Sequence, residues 1–70
     1  MHIDQKMLKL LFEIKRSVSP KIKQDLSVAK NNIGYKLLKI HALTTDNRLK
    51  NLIERFLEQA GNEWMDRIHP

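Results

Sequence analysis

The sequence predicts an all-α domain, and three observations carry that reading. Apolar residues recur at three- and four-residue spacing along most of the chain, as expected when each helix buries one stripe. No stretch alternates apolar and polar residues in the manner of a half-buried strand. Pro20 and Gly61 fall where the stripes break, as punctuation between helices. The expected architecture is one domain, 1–70, built as a small bundle of four to five helices over about 4–17, 20–27, 30–42 and 45–60, with a short helix over 62–68.

The first helix carries Ile3, Met7, Leu10, Leu11, Ile14 and Val18 on one face, with Asp4 placed to cap its start and Lys15 and Arg16 in its last turn. Ser19-Pro20 ends it and opens the next, since proline disfavours a helical residue before it yet suits the first helical position. Beyond Pro20 the stripe runs Ile22, Leu26, Ala29, Ile33, Leu37 and Ile40. Two readings are open there: two helices with a turn near 27–30, or one long helix over 20–43 that makes the domain a three-helix bundle. Asn31, Asn32 and Gly34 have poor helix propensity and weigh against the long helix. Thr44-Thr45 is the expected cap of a helix striped by Leu49, Leu52, Ile53, Phe56, Leu57 and Ala60. Gly61 stops it, and Trp64, Met65 and Ile68 form an apolar patch on the short final helix.

Size and composition narrow the function. Seventy residues without cysteine make one small core with no disulfide or cysteine-based zinc site to support it. A deep catalytic cleft is hard to build at this size, so no enzyme, catalytic residue or cofactor is expected. The most apolar run, Met7–Ile14, is short and carries two charges, which suits neither a membrane span nor a signal-peptide core. A soluble, cytoplasmic protein is the expectation. His2, His41 and His69 are scattered without partners at ligand spacing, so no metal site is expected either. Glu54, Glu58 and Glu63 read as solvated helix surface.

The net charge of +5 hides an asymmetry. Residues 1–43 carry +6 and residues 44–70 carry −1. Clustered cations are the electrostatic footprint of a polyanion binder.

The basic stretch 19–40 also carries a pattern. Ile22 opens a helix and Leu26 closes it, Ser27 and Val28 follow as a small turn residue and an apolar one, and Ile33 and Leu37 anchor a second helix. These spacings resemble the helix-turn-helix of small DNA-binding regulators, including phage Cro-like repressors and winged-helix regulators. The resemblance departs at Lys23, where alanine is usual, and at Ser27, where glycine is usual. It implies that a core of Ile22, Leu26, Val28, Ile33 and Leu37 holds a recognition helix over about 30–42 for the major groove of double-stranded DNA. The DNA-binding set is then Lys21, Lys23, Lys30, Asn31, Asn32, Tyr35, Lys36 and Lys39. Asparagine bonds adenine bidentately, and lysine suits guanine or phosphate. Leu38 would point outward beside Asn31 and Tyr35, and the acidic C-terminal half would face away from DNA. Such regulators bind as dimers, with Leu38, Trp64 and Ile68 as the expected partner contact.

An alternative of another class stays open. Asp46-Asn47-Arg48-Leu49, followed by Leu52, Leu57 and Trp64, is faintly similar to the end of the Hha-like nucleoid modulators. That resemblance implies a helical adaptor or inhibitor, of the kind phages and plasmids encode, that docks an acidic protein partner without reading DNA.

Overall fold

The helix boundaries follow from which side chains take over unpaired backbone groups. The computed structural model describes residues 2–68, and its order is α1 (Gln5–Arg16), α2 (Pro20–Val28), α3 (Ile33–Leu43), α4 (Asn47–Ala60) and α5 (Asn62–Ile68), with no strand among the described residues. At the start of α1, an Asp4 carboxylate oxygen accepts from the Met7 amide at 2.8 Å. The helix closes where the Ser17 amide donates to the Ile14 carbonyl at 3.0 Å. Ser19 then caps α2 by accepting from the Ile22 amide at 3.4 Å, with Pro20 in the first turn.

The chain leaves the helix at Ala29, where ψ is 61°. A turn over 29–32 follows, in which the Lys30 amide donates to the Val28 carbonyl at 3.0 Å. The long helix over 20–43 is therefore not formed. Asparagine side chains compete with helical backbone bonding, and two in succession favour a turn here. The turn also shifts the expected start of the next helix. Lys30, Asn31 and Asn32 lie in the turn, and α3 begins at Ile33 with no side-chain bond from Asn32.

The cap of α4 is Asp46 rather than Thr44-Thr45. Its carboxylate accepts from the Arg48 amide at 2.9 Å and the Leu49 amide at 3.2 Å, while the Thr44 hydroxyl accepts from the Asp46 amide. A carboxylate serves two donors at the positive helix end, which a threonine hydroxyl does less well. Gly61 ends α4 with φ +145°, a conformation that side chains rarely adopt, and its carbonyl accepts from the Trp64 amide to start α5.

Helices α1 and α4 form the central packed pair; α2 lies against α1, and α3 against α4, with α5 closing over α4 and α3. Met7, Ile14, Leu37, Ile53, Phe56 and Leu57 are the most enclosed side chains, and no polar or charged side chain is buried among the described residues. Three expectations about the 19–40 pattern need correction. Val28 is 65% exposed, and Ala29, at 6%, takes the inward position. Because α2 runs through Val28, Leu26 and Ala29 share a face at i, i+3 while Val28 turns outward. Ser27 stays helical, and its hydroxyl donates to the Lys23 carbonyl at 2.9 Å, so the turn strains no left-handed residue there. Leu38 is half-buried against the core instead of pointing outward.

Candidate nucleic-acid interface

Lys21 and Lys23 stand exposed on α2, Lys30, Asn31 and Asn32 in the turn, and Tyr35, Lys36 and Lys39 on α3. Asp25 is the only carboxylate on this whole segment. None of the five lysines forms an ion pair among the described residues. The pairs among the described residues lie elsewhere: Arg16 and Arg48 both reach Glu13, at 3.8 and 3.3 Å, and His41 Nε2 meets Glu54 at 3.0 Å. No ion pair among the described residues draws on the lysines of α2, the turn or α3.

Two grooves flank α2. On the α3 side, a groove of about 490 Å³ is lined by Val18, Ile22, Leu26, Ile40, Leu43 and Leu49, together with Lys36, Lys39 and Asp25. Ile22 is only half-buried because this groove, and not a tight helix–helix seam, lies beside it. On the α1 side, a shallow depression brings Lys15, Arg16 and Lys23 together around the exposed Phe12. Sequence reasoning counted Lys15 and Arg16 in the charge of residues 1–43 and as helix-terminal cations, but not in the DNA-binding set. Their meeting with Lys23 depends on how α2 folds back on α1, which no local spacing reveals.

The expected separation of the acidic C-terminal half from the recognition helix does not hold at α5. Trp64 packs over Gly34 in the first turn of α3, close enough that a Cβ at Gly34 would lie 2.6 Å from the indole. Tyr35 and Trp64 meet edge to face, with ring centroids 5.1 Å apart and planes at 75°. The Arg67 guanidinium sits 5.1 Å from the Tyr35 ring centroid and 5.5 Å from that of Trp64. Tyr35 is thus exposed on one side and held on the other, and Arg67 adds a cation beside it. Trp64 and Ile68, expected at a partner contact, are half-buried against the chain's own core.

Among the described residues no three His, Asp or Glu side chains gather as a metal site; His69 lies outside them. No helix of the described residues is long and apolar enough to cross a membrane. Compared with protein-family models, with curated proteins and with solved structures, the chain finds no match in any of the three.

Proposed function

We propose that this chain is a small DNA-binding transcriptional regulator that presents α2, the 29–32 turn and α3 to double-stranded DNA as a divergent helix-turn-helix. The observation that carries the reading is that five exposed lysines, without ion pairs among the described residues, stand on two short helices and the four-residue turn that joins them. Each such lysine that meets a phosphate releases condensed counterions, which is the main source of affinity for duplex DNA. Lys21, Lys23, Lys30, Lys36 and Lys39 supply this sequence-independent contact. Asn31 and Asn32 sit immediately before α3, at the helix end that approaches base edges in this mode of docking, and Tyr35 follows in the first turn. A single module covers few base pairs, so two copies bind adjacent half-sites.

The test is a fluorescence-anisotropy titration against random duplex DNA at several salt concentrations. With five lysines on phosphates, log K falls against log salt with a slope of roughly −4 to −5. Lys30→Ala or Lys36→Ala lowers that slope by about one and weakens binding to all sequences alike. Asn31→Ala, Asn32→Ala and Tyr35→Ala change sequence preference while the fold, followed by circular dichroism, stays intact. Absence of binding even at low salt overturns the reading.

A further inference from the structure

We propose that the groove between α2 and α3 is a docking site for an acidic amphipathic helix of a partner protein. Its lining includes Val18, Ile22, Ile40 and Leu43, and Leu43 is 74% exposed, more than any other large apolar side chain described. These residues gain nothing from a phosphate backbone, so this apolar lining is unexplained by DNA binding. The charged groups that line the groove are Lys36 and Lys39 on the α3 side and Asp25 on the α2 side. Lys36 and Lys39 stand at i, i+3 and share one edge of α3, and neither has an ion pair. An apolar trough with two free cations along one edge is complementary to a helix with an apolar stripe flanked by carboxylates. Asp25 sets the direction: the acidic flank lies toward α3, and the edge toward α2 is neutral or basic.

The groove is only partly enclosed, which leaves room for a helix to lie along it. A helix lying in it buries only the face it needs to bury. The nine residues of α2 span about 13 Å, enough for anchors at i, i+3 or i+4, and i+7. The proposal does not require DNA binding, although an occupant would cover Lys36 and Lys39 and exclude DNA from them.

The experiment is a selection from a displayed library of random peptides of about 14 residues against the full chain, at about 150 mM salt. Enriched peptides are then measured by anisotropy against the parent, Leu43→Asp, Lys36→Glu and Lys21→Glu. Lys21 carries the same charge but does not line the groove. The expected outcome is enrichment of sequences with apolar residues at helical spacing and Asp or Glu beside them. Their affinity falls about tenfold or more with Leu43→Asp and with Lys36→Glu, and stays unchanged with Lys21→Glu. Leu43 is exposed, so its substitution leaves the fold intact by circular dichroism. The proposal is overturned by no enrichment, by acidic peptides without apolar spacing, or by indifference to Leu43→Asp. It is equally overturned if Lys21→Glu weakens binding as much as Lys36→Glu, which would mark general charge attraction. Duplex titration of the same variants separates the two functions, because Lys21→Glu weakens DNA binding and leaves the peptide untouched.

Discussion

Alanine in place of a helical glycine ordinarily stabilises a protein, and at Gly34 the contact with Trp64 reverses the sign. In a helix interior the exchange is worth up to about 1 kcal/mol in favour of alanine, and less at Gly34, the second residue of α3. The new Cβ, however, would lie 2.6 Å from Cη2 of Trp64 and 2.8 Å from Cζ2 and Cζ3, where ordinary contact begins at 3.4 Å. The indole must retreat, and it is not a loose end. It holds Tyr35 edge to face and lies under Arg67. Losing the aromatic pair costs about 0.5–1.5 kcal/mol and losing the cation contact about 0.5–1 kcal/mol, before any indole surface returns to water. The expected result of Gly34→Ala is a net destabilisation of about 1 kcal/mol. In a Trp64→Ala background there is no ring to displace, and the same exchange stabilises by up to about 1 kcal/mol. Urea titrations of the four proteins, followed by circular dichroism, should therefore give a coupling of about 1–2 kcal/mol between the two positions. Equal stabilisation by Gly34→Ala in both backgrounds would refute the seating of Trp64 on Gly34.

The caps and the core give further expectations. Asp46→Ala removes a carboxylate that serves two amides and should cost about 1–2 kcal/mol, lowering the thermal midpoint by roughly 4–8 °C per kcal/mol. Ser19→Ala, which removes one bond of 3.4 Å, should cost about 0.5 kcal/mol, and the reverse ranking in thermal melts would contradict the capping geometry. Phe56→Ala empties a fully enclosed position at a cost of about 3–5 kcal/mol. That rivals the whole stability of a domain this size, so the cooperative melt should be lost. Arg48→Ala breaks an exposed pair with Glu13 and a bond to the Ser17 hydroxyl, yet should cost at most about 1 kcal/mol, fading at about 0.5 M salt.

Most of the helical framework was legible because its signals are local. Asp4, Ser19-Pro20 and Gly61 each announce a boundary by their own chemistry, and the stripes of α1 and α4 repeat without interruption. The boundaries that moved are those where neighbours compete for one role. Thr44, Thr45 and Asp46 are all cap formers, and the choice of Asp46 depends on which one can serve two amides at once. Val28 and Ala29 both fit an apolar spacing, and the point at which α2 stops decides which of them turns inward. The basic character of the candidate site was legible from charge asymmetry alone. The groove between α2 and α3 was not, since its lining joins residues from the α1–α2 link to the start of α4, and only packing sets those elements side by side. Gly34 read as a helix-weakening residue. Its place beneath an indole thirty positions later leaves no trace in local periodicity.

The chain has a single tryptophan, and it stands at the junction of α3 and α5. Its emission is consequently a local optical gauge, sensitive to whether the last helix is seated on α3 and α4. Far-ultraviolet dichroism, by contrast, averages over all five helices. If α5 releases before the rest, the two signals separate along a denaturant titration, and the midpoint and slope of the earlier one give the free energy of that single docking event.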